Sequence, residues 1–111
     1  QLSLPLLLKA KNPSVVFTSS GVGRKARAFW TSYSISKFAV EGLMQSLADE
    51  YEKEMRVNSY NPGPTRTQMR AQAFPAEDPN TLRTPDEIAV DYLWLLSEEC
   101  QETGIMYNYH E

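Results

Sequence analysis

The chain of 111 residues has little of what several function classes require. It has one cysteine, Cys100, so no internal disulfide can form, and one histidine, His110, too few imidazoles for a His-based metal cluster. It has no basic excess: the formal net charge is -3, which argues against a dedicated nucleic-acid binder, since such domains present a basic face. It has no long hydrophobic run either. The opening stretch "QLSLPLLLKAKNP" is far shorter than the roughly 20 residues needed to span a bilayer, Pro5 interrupts it, and no basic segment precedes it. These absences point to a soluble protein of a reducing compartment, with the cytoplasm as the expected location and no membrane or nucleic-acid partner. A hydrophobic content of 41% is ordinary for a folded domain.

The first residue is Gln1 rather than methionine. The opening reads as the end of a helix that feeds a strand, so an upstream part is expected. "SVVFTSS", Ser14 to Ser20, is β-branched and aromatic, bounded by Asn12-Pro13 and Gly21, and apolar in its middle without alternation. That pattern predicts a parallel strand covered on both faces. A loop, "GVGRKARAFW", leads to a helix starting near Thr31 or Ser32. From Tyr33 to about Glu52, Phe38, Ala39, Leu43, Leu47, Ala48 and Tyr51 recur at helical spacing and predict one apolar face.

Arg56 to Tyr60 reads as a second strand stopped by Asn61-Pro62-Gly63-Pro64. Residues 65 to 83 predict a loop with one or two helical turns, anchored by Met69 and Phe74. Thr84, Pro85, Asp86 and Glu87 form a helix start with a capping box, and Ile88, Tyr92, Leu95 and Leu96 are the expected buried face. "IMYNY" reads as a last strand. The order strand, helix, strand, helix, strand predicts an α/β fold with about three parallel strands and right-handed crossovers. So thin a sheet leaves a raw edge, which is expected to pair with a missing half.

Tyr33 and Lys37 lie four residues apart, hence on one side of the helix. Taken alone, this pair reads as an ordinary exposed turn. A phenol, with a pKa of about 10, needs its anion favoured to work near neutrality, and an ammonium one turn away does that. Such a phenol can protonate a carbonyl oxygen or deprotonate an alcohol while a hydride moves at carbon. Ser20 closes its strand at the carboxyl end, where open parallel sheets place their ligand crevice. It could hold the reacting oxygen; the plainer role for a serine there, satisfying a loop amide, is favoured for Ser19. The Pro62-Gly63 turn would let backbone approach a flat ligand, with Thr65 and Thr67 offering hydroxyls beyond it.

In order and approximate spacing, "FTSSGVG", "YSISK", "NPGPTRT" and "TGIMYN" resemble the short-chain dehydrogenase/reductase family, and the resemblance runs over essentially the whole chain. Longer stretches such as "FAVEGLMQSLADEY" resemble a bacterial oxidoreductase branch of that family. The resemblance implies a Rossmann-like doubly wound sheet of which residues 1–111 form the carboxyl-terminal, catalytic half. It makes Ser20 the catalytic serine and Tyr33 the general acid/base. Lys37 would favour the phenolate and bind the nicotinamide ribose hydroxyls, while Pro62, Gly63, Thr65 and Thr67 would lie at the nicotinamide end of NAD or NADP. The implied substrate is a small carbonyl compound or alcohol, and the implied assembly is a homodimer or homotetramer through the Tyr33 to Glu52 helix.

The family's glycine-rich phosphate loop is not in the sequence. Gly21 and Gly23 follow the serine strand and have the wrong context for it. Little or no turnover is therefore expected of these 111 residues alone. A reading of another class is a non-catalytic assembly module that uses the same helix as an interface. Secondary expectations are a solvated basic cluster at Arg24, Lys25 and Arg27, with attraction of an anionic substrate as the sharper alternative. Phe29 and Trp30 are expected in the pocket wall or the core, and a mobile substrate lid around Met69 and Phe74, with Arg66 and Arg70 touching cofactor or substrate. His110 is expected to be exposed.

Overall fold

A computed structural model describes residues 2–109, so His110 lies outside the described residues. Three parallel strands, β1 (Ser14–Thr18), β2 (Arg56–Asn61) and β3 (Met106–Asn108), form one sheet in that order. Ser14 pairs with Arg56 and Thr18 with Tyr60 between β1 and β2, and Tyr60 pairs with Tyr107 between β2 and β3. The helices are α1 (Leu4–Lys9), α2 (Thr31–Glu50), α3 (Gln68–Ala73) and α4 (Pro85–Leu96). The α/β class and the parallel topology follow the expectation from sequence.

Strand geometry explains the unbroken apolar character of β1. Successive side chains point to opposite faces, so Val15 and Phe17 pack beneath α2 with Met44, Ala48, Met55 and Val57. Val16 packs on the opposite face with Tyr60, Ile88, Leu95 and Cys100 beneath α4. The central strand β2 is the most buried although four of its six residues, Arg56, Asn58, Ser59 and Asn61, are polar. Main chain satisfies much of this polarity, although Arg56 Nε has no partner among the described residues and Ser59 Oγ accepts from Arg24. The Arg56 guanidinium donates to the carbonyls of Ser97 (2.7 Å), Asn12 (3.2 Å) and Cys100. Asn58 donates to Glu102 O at 2.9 Å and accepts from Ile105 N at 3.0 Å, which removes the penalty for burying an unpaired amide.

Three expectations about packing are corrected. The face that α2 turns to the sheet carries Ser34, Glu41, Met44 and Ala48, with Leu47 and Tyr51 beside them. Phe38 and Leu43, at 46% and 49% exposure, belong instead to an outward stripe with Ile35 at 66%, and Ala39 is exposed too. The helix ends at Glu50, with Tyr51 as its C-cap. In α4, Ile88 and Leu95 are buried as expected but Leu96 is 48% exposed. Its position one residue past Leu95 turns it about 100° away from the buried stripe. Thr84 does cap α4, accepting from Glu87 N at 3.3 Å. Met69 anchors nothing, being 72% exposed.

Candidate active site

The site is built where β1 and β2 end. Ser19 continues the ladder through its amide to Tyr60 O at 2.8 Å, and Ser20 caps the short 3-10 turn Gly21–Gly23. The loop-amide role expected of Ser19 falls to Ser20, whose Oγ accepts from Val22 N at 3.4 Å. Ser19 Oγ is buried without a partner among the described residues. Accepting one bond leaves the Ser20 hydroxyl hydrogen able to donate to a ligand oxygen.

The turn after Ser20 is pressed against α2 at Lys37. A Cβ on Gly23 would lie 2.8 Å from Lys37 Cβ and 2.9 Å from Lys37 O, so only glycine fits there without displacing the helix. From that anchored position Lys37 Nζ donates to Thr18 O at 3.1 Å, two residues before Ser20. It also lies 5.7 Å from the centre of the Tyr33 ring. Tyr33 itself is 39% exposed at the start of α2. Lys37 thus links Tyr33 to the carboxyl end of β1, two residues before Ser20, at the edge where parallel sheets bind ligands.

The end of β2 lies beside the turn that follows Ser20. Gly21 approaches it closely, since a Cβ there would sit 3.9 Å from Asn61 Nδ2. Asn61 Oδ1 accepts from Gly63 N at 3.0 Å, closing a side-chain turn around Pro62. Gly63 has φ of +73°, and an added Cβ would meet the Tyr109 ring at 2.5 Å. Glycine is therefore demanded here by both backbone and packing. Thr65 Oγ1 donates to Gly63 O at 3.1 Å, and Thr67 caps α3 by accepting from Arg70 N at 3.2 Å. Both hydroxyls are engaged in shaping the loop, with Thr67 exposed.

Of the basic cluster before α2, Lys25 and Arg27 are exposed as expected and Arg24 is not. Arg24 is no solvated loop cation: its Nε contacts Glu41 Oε2 at 2.7 Å, and its Nη2 donates to Ser59 Oγ at 3.4 Å and Tyr107 O at 3.1 Å. Nη1 donates to Asn108 Oδ1 as well. Arg66 donates to Pro79 O at 2.8 Å, and Arg70 holds Glu77 through two bonds of 2.8 and 2.9 Å. These bonds fold the segment between β2 and α4 onto itself. Sequence reasoning missed the Arg24–Glu41 pair, although a glutamate on the same helical stripe as Met44 and Ala48 is a legible signal that something must neutralise it.

The sequence matches the short chain dehydrogenase family over residues 1–78. It is 56% identical over 109 residues to the uncharacterized oxidoreductase YciK of Escherichia coli (strain K12), covering 97% of this chain and 43% of that protein. It is 36% identical to the NADPH-dependent pterin aldehyde reductase of Arabidopsis thaliana, over 78% of this chain and 36% of that one. A short chain dehydrogenase from Escherichia coli CFT073, solved in complex with NADPH, superposes with a TM-score of 0.91 at 57% identity, covering 95% of this chain and 44% of its own. The chain thus spans less than half the length of each of these relatives. With the family matched over more than half of its residues and the same parallel sheet in a solved member, the chain belongs to the short chain dehydrogenase family.

Proposed function

We propose that the complete protein is an NAD(P)-dependent oxidoreductase that interconverts an alcohol and a ketone or aldehyde. Residues 1–111 would supply its catalytic half and turn over little or nothing by themselves. The observation that carries this reading is the position of Lys37, whose ammonium is held on Thr18 O at 3.1 Å while facing the Tyr33 ring at 5.7 Å. In the reducing direction the Tyr33 hydroxyl gives its proton to the substrate oxygen, and the Ser20 hydroxyl donates a hydrogen bond that holds this oxygen in line. In the oxidising direction the phenolate takes the alcohol proton back. Lys37 keeps a positive charge beside the phenol throughout.

The donor set fits a nicotinamide nucleotide. Lys37 uses one of its three N–H donors on Thr18, leaving two for ribose hydroxyls. Pro62, Gly63, Thr65 and Thr67 would meet the nicotinamide end, chiefly through backbone, since the Thr65 hydroxyl donates to Gly63 O and that of Thr67 accepts from Arg70 N. When bound, the nucleotide supplies or accepts the hydride. The NADPH complex of a relative 57% identical supports NADP(H) as the form used.

The outward stripe of α2, with Ile35, Phe38 and Leu43 exposed, supports assembly of the complete protein as a homodimer or homotetramer through this helix. Replacement of Tyr33 by Phe tests the catalytic reading. Turnover of a confirmed carbonyl substrate by the complete protein is expected to fall at least about 100-fold, with the melting temperature unchanged. Full activity in Tyr33→Phe would refute the assignment.

A further inference from the structure

Tyr33 is the end of a chain of rings. Its ring meets that of Trp30 edge-on, with centroids 5.8 Å apart and planes at 64°. Trp30 in turn stands 25° from parallel to Phe74, with centroids 6.3 Å apart. The guanidinium of Arg70 lies 3.8 Å from the centre of the Phe74 ring, fixed there by two hydrogen bonds to the Glu77 carboxylate. Phe74 is thus held by a locked cation while it faces Trp30. At 6.3 Å the two rings sit in the offset range, and Phe74 remains 36% exposed with Trp30 half-buried.

The same contacts decide what this wall does not read. Arg24 is committed to Glu41, Arg66 to the carbonyls of Pro79 and Leu82, and Arg70 to Glu77. The three guanidinium groups best suited to clamp a carboxylate or phosphate are therefore occupied within the protein. Lys25 and Arg27 are exposed on the loop before α2, where water and salt screen their attraction for an anion. Aromatic surface is what remains beside the phenol.

We propose that Trp30 and Phe74 form the recognition wall of the Tyr33 site and that its substrate is an uncharged ketone or aldehyde with a planar, apolar body. The inference rests on the oxidoreductase reading for the role of Tyr33. The substrate ring lies on the uncovered aromatic surface, and its carbonyl oxygen reaches the Tyr33 hydroxyl. Arg70 and Glu77 are positioning residues: they hold Phe74 at the angle that makes the wall.

Calorimetric titration of the complete protein with three probes tests this independently of turnover. Acetophenone is planar and neutral, cyclohexyl methyl ketone is similar in size but not flat, and phenylglyoxylate is planar and anionic. Acetophenone is expected to bind about fivefold more tightly than cyclohexyl methyl ketone, the scale of an aromatic pair beyond its buried area. Phe74→Leu should erase that preference and Phe74→Tyr should restore it. Equal affinities for the two neutral ketones, tighter binding of phenylglyoxylate, no binding of acetophenone at millimolar concentration, or an unchanged preference in Phe74→Leu would each overturn the proposal. In Tyr33→Phe the aromatic preference should persist. If it persists together with undiminished turnover, the wall stands and the catalytic role of Tyr33 falls.

Discussion

Replacing Arg24 by methionine probes how the crevice is held together. The guanidinium joins four points: Glu41 on α2, Ser59 on β2, and Tyr107 and Asn108 on β3. Its side chain is 18% exposed and that of Glu41 only 5%. Glu41 Oε1 has no partner among the described residues, so Arg24 is the ion that makes this carboxylate tolerable inside. Arg24→Met leaves a buried, uncompensated charge, a change that costs about 3–5 kcal/mol. For a domain of about 5–15 kcal/mol total stability, that is about a fifth of the whole or more. The double variant Arg24→Met with Glu41→Leu removes the stranded charge along with its partner. It should lose only about 1–2 kcal/mol, mainly for the Tyr107 carbonyl left without its donor. Urea unfolding of the complete protein and the three variants closes a double-mutant cycle. A single-variant loss below about 1 kcal/mol, or a double variant as unstable as the sum of the singles, would refute the picture of an ion pair that anchors the site.

Two further outcomes follow from local geometry and charge. Gly63→Ala forces a Cβ onto the Tyr109 ring at 2.5 Å and onto a backbone with φ of +73°; a loss of about 2 kcal/mol or more is expected in urea unfolding, and an unchanged midpoint would show that Tyr109 is not seated there. The Tyr60 hydroxyl is buried and donates to Asp91, and desolvation, followed by that bond, pushes its pKa up to about 12. The folded chain then keeps a proton that the unfolded chain releases near pH 10, so this contribution is intact below pH 10 and is lost as pH rises towards 12. The difference amounts to about 2–3 kcal/mol, and equal alkaline slopes for the parent and Tyr60→Phe would remove Tyr60 as its source.

What the sequence disclosed was what depends on neighbours along the chain. The β-branched run of β1, the Thr84 cap, the Asn61-Pro62-Gly63 stop and the Tyr33–Lys37 spacing are all local signals, and each element stands where those signals put it. The errors came from distant partners. Arg24 looked like a loop cation because Glu41, 17 residues away, looked like surface. The internal acceptors of Arg66 and Arg70 went unread for the same reason, lying 13 and 7 residues further on within a segment of no clear periodicity. Leu47, Ala48 and Tyr51 of α2 face the core as read, but Phe38, Ala39 and Leu43 were misassigned because residues at three- and four-residue spacing satisfy two neighbouring stripes equally well, and only the sheet decides between them.

That helix nevertheless records the site in a way periodicity alone passes over. Its inward stripe is polar in the first half, with Ser34, Lys37 and Glu41, and apolar in the second, with Met44 and Ala48. The fourteen steps from Ser34 to Ala48 rise about 21 Å, close to the about 20 Å length of the six-residue strand β2. A crossover helix between parallel strands runs against them, so its first turns lie over the strands' carboxyl ends and its last turns over their starts. Lys37 reaching Thr18 O and Met44 and Ala48 packing with Met55 and Val57 fit that arrangement. The switch from polar to apolar along one stripe therefore marks where the packed body of the sheet gives way to the crevice. Tyr33 falls on the crevice side of that switch, which is the physical reason a phenol at this point of the chain remains accessible to a ligand while the helix that carries it is anchored in the core.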